Sequence, residues 1–248
     1  VQLSVAVIVP CFNEARLVGR TLRRIPCWVS TIIAVDDASS DSTAEAILSV
    51  GDERVVFLRH EQNRGVGAAI VTGYRKALER GAEILVVMAG DDQMDPEDLP
   101  QLIAPIVEGS ADYVKGNRFD HPQIARMPWV RRVGSGLLSW ITRGASGLSV
   151  SDTQCGYTAL SAGAARRLPL EQVWPRFGYP NDLLMLMAAL RLRVREVPVR
   201  PVYGDERSGL RPWHLLQIIG VIYRRWRRTR TARFNEHPYA TKALLPHR

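Results

Sequence analysis

Residues 88–96, MAGDDQMDP, set three aspartates and a glutamine between an apolar run and a proline. Asp91 and Gln93 are two apart at the end of a predicted extended segment, where alternate side chains share a face, so both point one way and Asp92 points the other. One carboxylate and one amide oxygen make a sparse site for a hard divalent cation such as Mg²⁺. Water and substrate phosphate oxygens would complete its shell. Asp95 does something else. It precedes Pro96, with Glu97 and Asp98 following, which is the pattern of an N-cap, a proline at the first helical position and acids near the positive end of a helix dipole. Asp92 has no assigned role.

The elements that position these groups alternate. Apolar runs at 5–10, 31–37, 54–60, 83–91 and 111–119 read as strands, and helical spacing fills 14–25, 41–50, 65–81 and 96–109. Continuous apolar strands alternating with helices predict an α/β fold, a mainly parallel sheet covered on both faces. In such sheets ligands bind beyond the carboxyl ends of the strands. The polar stretches PCFNE, DDASSD, AGDDQMD and GNRF all fall there. Alternation also separates Asp36 from Asp37, so that one faces a ligand and the other ties down the following turn. The second half is less regular: an amphipathic helix over 129–147, a strand within 152–161 entered through a polar loop, a helix over 181–193 and an extended stretch over 194–203.

No G-x-G-x-x-G follows the first strand, and neither a P-loop nor a G-x-S-x-G elbow occurs. These absences turn the reading away from dinucleotide dehydrogenases, P-loop enzymes and α/β-hydrolases. The Gly65–Val66–Gly67 turn reads as helix-start packing with phosphate proximity. The three cysteines, Cys11, Cys27 and Cys155, are widely spaced, which suits a reducing compartment rather than a disulfide or zinc framework. No apolar run approaches the ~20 residues of a membrane span. The net charge of +8 is concentrated in YRRWRRTRTAR (223–233) and RMPWVRR (126–132), which favours an anionic partner.

VIVPCFNE, AVDDASSDST, NRGVGAA, MAGDDQMDP, GNRF and DTQCGY occur in order and at suitable spacing. Over about residues 4–210 the chain therefore resembles family-two inverting glycosyltransferases of the GT-A fold. Within them it is most similar to the dolichyl- or polyprenyl-phosphate sugar synthases, the mannose synthase and glucosyltransferase group. The resemblance implies a nucleotide-sugar donor (UDP- or GDP-hexose), Mg²⁺ or Mn²⁺, and a polyprenyl or dolichyl phosphate acceptor. It divides residues 1–210 into a nucleotide-binding half, about 1–119, and an acceptor-binding half, about 120–210. The nucleotide falls to Pro10, Asn13, Glu14, Asp37 and Gly65. The family's D-x-D with a glutamine two residues on falls on Ala89, Asp91 and Gln93, so one carboxylate is missing. Arg118, Arg131 and Ser135 fall where relatives bind the acceptor phosphate. Arg207, Ser208, Asp152, Gln154 and Asp182 fall near the donor diphosphate or sugar, with Asp182 read first as a helix cap or first-turn acid.

Residues 211–248 read as a basic amphipathic helix and tail. Its Leu215, Leu216, Ile218, Ile219, Val221, Ile222 and Trp226, followed by arginines, predict a helix lying on an anionic membrane surface. The expected location is cytoplasmic, peripheral to the membrane. The same fold with a soluble saccharide or phosphorylated acceptor is the enzyme alternative. A basic nucleic-acid-binding module is the non-enzyme alternative. It is not expected, because no zinc-finger or RNP-type motif is present and the basic run lies outside the motif-bearing core.

Overall fold

A computed structural model describes residues 3–202 and 212–234. The first half is β1 (Val5–Cys11), α1 (Val18–Arg24), β2 (Thr31–Asp36), α2 (Thr43–Leu48), β3 (Val55–Arg59), α3 (Val66–Glu79), β4 (Ile84–Val87), α4 (Leu99–Val107) and β5 (Tyr113–Asn117). The second half is α5 (Trp129–Ser146), β6 (Thr158–Ser161), α6 (Ala162–Arg167), α7 (Tyr179–Ala189), β7 (Val194–Pro198) and α8 (Pro212–Phe234). The strands form one sheet in the order β3-β2-β1-β4-β6-β5-β7. Every pairing is parallel except those of β6, which runs antiparallel to both β4 and β5.

Strand alternation divides the core in two. Ala6, Ile8, Ile33 and Val35 point to the side covered by α3, α6 and α7. Val5, Val7, Val9, Ile32 and Ala34 point to the side covered by α1 and α4. Both faces of each inner strand are thus buried, which is why these runs read as continuously apolar. α6, whose AGAARR carries little periodicity, was not among the predicted helices.

Two expected elements differ. The fourth strand stops at Val87, and the chain turns before the acidic segment rather than extending through it. Among the described residues, α8 is packed in place by α5 and α7: Ile218, Val221 and Ile222 are buried, with Leu215 and Ile219 partly covered beside Leu138, Ile141 and Ala145. Five of the apolar residues expected on a membrane, Leu215, Ile218, Ile219, Val221 and Ile222, therefore hold α8 to the protein, while Leu216 stays exposed. Arg225 reinforces this with a buried ion pair to Asp182 of α7, at 2.7 Å. No helix among the described residues is long and apolar enough to cross a membrane.

Candidate functional site

The carboxyl ends of β1 and β4, the start of α3, the end of β5 and the start of α5 surround a cleft of about 930 Å³. Pro10, Asn13, Glu14, Asp37, Gly65, Asp91, Gln93, Arg118, Arg131, Ser135 and Gln154 all line it. Asp152 and Asp182 are buried behind the wall, and Arg207 and Ser208 lie outside the described residues.

The wall from the first half is acidic. Asn13 sits at φ 57° and its Oδ1 accepts from the Ser40 amide at 2.9 Å, fixing the turn after β1. Asp36 accepts from the Ser39 amide and anchors the following turn, while Asp37 lines the cleft, as alternation requires. The Asp37 carboxylate is already committed within the protein. It accepts from the Arg64 and Gly65 amides at 2.9 and 2.7 Å and meets His60 Nδ1 at 2.6 Å. It thereby fixes the entry to α3, where Gly65 has φ 97° and a Cβ would stand 2.5 Å from the Pro175 carbonyl oxygen. Gly67 is likewise required by the close approach of Trp174. His60 carried no signal in the sequence.

In the loop after β4, Asp92 takes φ 57° and turns away to Arg20 and Arg24, at 2.6 and 2.9 Å. Asp91 and Gln93 stay on the cleft, so the pairing expected from an extended strand arises from a turn instead. Asp95 is the N-cap, accepting from the Glu97 amide, and its carboxylate also binds Arg24 and Arg200. Burial, and then the charges of Asp91 and Asp41, push the Glu14 carboxyl up to about 7. Acids that repel one another in a half-covered cleft favour a cation between them.

Among the described residues no group of three or more histidines, cysteines or acids could hold a metal by itself. The donors present, Asp91 and Gln93 with Glu14 nearby, are hard oxygens too few to complete a shell. They fit a divalent ion that shares its coordination with ligand phosphate oxygens, in keeping with Ala89 standing where a further carboxylate would be.

The opposite wall is basic: Arg131 and Arg176 from the second half line it, with Arg118 at the end of β5 and Arg16 added from the first half. Arg118 is held in a fork, its Nε and Nη2 donating to the two Asp152 oxygens at 2.7 and 3.0 Å. Burial alone would raise the Asp152 carboxyl, but the charge and hydrogen bonds of Arg118, together with the charge of Lys115, hold the group below its usual value. Glu196 supports the same loop by accepting from the Ser151 and Asp152 amides at 2.7 and 2.9 Å. Buried Lys115 donates to the Cys155 carbonyl.

The orientation of Gln154 follows from donor bookkeeping. Thr142 spends its hydroxyl proton on the Leu138 carbonyl at 2.8 Å, so it must accept from Asn181 Nδ2 at 2.7 Å. Asn181 Oδ1 then accepts from Gln154 Nε2 at 2.9 Å, and the same nitrogen donates to Thr153 at 3.0 Å. Gln154 therefore turns its carbonyl oxygen to the cleft. Asp182 does not take part: its carboxylate accepts from Arg225 Nε and Nη2 at 2.7 and 2.9 Å and from the Trp174 amide. Arg176 and Gln217 also line the cleft. Neither stood in a recognisable motif.

The model of the family described as Glycosyl transferase family 2 matches residues 6–160. The chain is 31% identical to the UDP-N-acetylglucosamine–dolichyl-phosphate N-acetylglucosaminyltransferase of Methanococcus voltae, over 88% of this chain and 92% of that one. It is 32% identical to the undecaprenyl-phosphate mannosyltransferase of Micrococcus luteus, over 79% and 83%. Its fold is that of glucosyl-3-phosphoglycerate synthase from Mycobacterium tuberculosis, solved with Mn²⁺, UDP and glucosyl-3-phosphoglycerate. The TM-score is 0.70 at 21% identity, covering 90% of this chain and 80% of that one.

Proposed function

The chain belongs to glycosyl transferase family 2, and we propose that it transfers a hexose from a UDP- or GDP-sugar to a polyprenyl or dolichyl phosphate, inverting the anomeric carbon. One observation carries the choice of acceptor. Arg118, fixed in a fork on buried Asp152, shares the cleft with Arg131 and Ser135 on α5. Two cations and a hydroxyl on fixed elements suit a phosphate. The two named relatives with lipid-phosphate acceptors support the same reading.

The acceptor also suits the chemistry. A phosphate monoester, with a second pKa of about 6, is already largely anionic at neutral pH and needs no general base. Its oxygen attacks the anomeric carbon as the bond to the donor diphosphate breaks. The new bond joins sugar to lipid phosphate, and the nucleoside diphosphate leaves with the electron pair. Arg118, Arg131 and Ser135 hold the incoming phosphate in line. Pro10, Asn13, Glu14, Asp37 and Gly65 surround the nucleoside, and Gln154 offers its carbonyl oxygen to the sugar. Asp91 and Gln93 would hold Mg²⁺ or Mn²⁺, which supplies positive charge to the leaving diphosphate. Arg207 and Ser208 are proposed to reach that diphosphate. Asp152 and Asp182 act by positioning other groups. Such an enzyme works at the cytoplasmic face of a membrane as a peripheral protein.

The test supplies radiolabelled UDP- and GDP-sugars with Mn²⁺, with and without polyprenyl phosphate. Label entering the organic phase only when the lipid is present is the expected result. Label that stays aqueous with every donor overturns the acceptor assignment.

A further inference from the structure

We propose that the solvent-facing side of α5 is the surface by which this protein docks on a bilayer carrying anionic headgroups. The helix has three sectors. Leu138, Ile141 and Ala145 pack with Ile218 and Ile222 of α8. Arg131 and Ser135 reach the cleft, and Ser139 and Thr142 join the buried polar network behind it. The third sector faces solvent, yet it is apolar. Trp129 is 74% exposed, Val130 62%, Val133 63%, Leu137 46% and Trp140 73%. Steps of three and four residues place these side chains on one face.

Charge identifies the occupant. α5 contains no acidic residue, and the exposed Arg132 and Arg143 lie along the edge of the apolar stripe. An apolar stripe bounded by tryptophans and edged by arginines matches the boundary between acyl chains and anionic headgroups.

Continuity with the cleft supports the same occupant. Arg131 and Ser135 share this helix with the stripe, so docking brings the acceptor side of the cleft to headgroup level. A lipid phosphate then reaches it while its chain stays in the bilayer. The use of the surface rests on the lipid-phosphate reading above; the surface itself does not. The sequence pointed to the C-terminal helix for this task, but Ile218, Val221 and Ile222 are buried there and cannot be offered to lipid without undocking the helix.

The experiment is flotation of the whole chain with phosphatidylcholine vesicles, with and without phosphatidylglycerol and free of polyprenyl phosphate. It compares wild type, a Trp129→Ser/Trp140→Ser pair, and a Leu216→Ser/Tyr223→Ser pair on the exposed side of α8. The wild type should float, more with the anionic lipid, and the α5 pair should lose about tenfold or more of its vesicle binding. Transfer to a short, water-soluble prenyl phosphate should be unchanged in that pair, which shows that the fold and cleft survive. Equal flotation of the α5 pair and wild type overturns the proposal, as does a loss confined to the α8 pair. Light scattering of the lipid-free chain covers the remaining occupant: a dimer abolished by the α5 pair, with vesicle binding intact, would make the face a self-association surface. Wild type that transfers sugar without floating defeats this proposal and leaves the function standing. Wild type that floats without transferring to any prenyl phosphate does the reverse.

Discussion

The two walls of the cleft are built in different ways. The acidic wall comes from turns that follow β1, β2 and β4, which bond within themselves and to one another: Asp36 to the Ser39 amide, Asn13 to the Ser40 amide, Asp91 to the Gln93 amide, Asp95 to the Glu97 amide. The basic wall depends on partners far along the chain. Arg118 leans on Asp152, Gln154 on Asn181, and α7 on Arg225 of α8. The pairs named for one wall are not those of the other, so the two should fail separately.

The largest effect should come from Arg225→Met. The Arg225–Asp182 pair is buried at both ends, with side chains 4% and 3% exposed. Removing the guanidinium leaves a buried carboxylate without its counter-charge, which costs about 3–5 kcal/mol. Denaturant unfolding should show that loss. Nucleoside diphosphate with Mn²⁺ should still raise the Tm of the folded variant, because the acidic wall does not use α8. An Asp182→Leu/Arg225→Met double variant should regain much of the stability. If it does not, packing rather than charge holds the helix.

Next comes Asp91→Ala, which attacks the other wall. Loss of the main proposed metal ligand should lower kcat/KM by roughly a hundredfold to a thousandfold with little change in Tm. Retained metal-dependent transfer would remove Asp91 from that role.

These two sites also differ in how far they could be read from sequence. The acidic wall was legible because its motifs are contiguous: a strand end, a turn and a cap lie within nine residues of one another. The sheet was legible because inner strands are buried on both faces. The Asp95 cap was read from Asp-Pro-Glu-Asp alone, and the structure has it. Arg225 was hidden in an arginine run whose composition predicts a solvated or lipid-facing side. Only the fold reveals that this one arginine meets Asp182. Likewise, the apolar residues of α8 and α5 have similar patterns, and no local property says which helix is covered by the other.

A smaller effect should follow Asp152→Asn, which keeps the volume but removes the charge that holds the Arg118 fork. The expected loss is about tenfold to a hundredfold in kcat/KM for the acceptor, with donor KM unchanged. An equal loss on the donor side would mean that the two walls are not separable.

The smallest effect is a pH dependence confined to the acidic wall. The Glu14 carboxyl is pushed from 4.5 to about 7 by burial and then by Asp91 and Asp41. Between those values the folded state keeps a proton that the unfolded chain has lost. Folding therefore binds protons, and this group's contribution to stability falls as pH rises through that window and levels off above it. Glu14→Gln should gain Tm relative to wild type at pH 8 compared with pH 5, measured without divalent metal. Because Asp91 supplies part of the shift, the wild-type step should move toward lower pH in Asp91→Ala. Mn²⁺ with nucleoside diphosphate should move it the same way, since a cation beside Glu14 favours the ionised form. A step unmoved by both changes would mean that burial alone sets Glu14, and that the acids of this wall do not face a common ion.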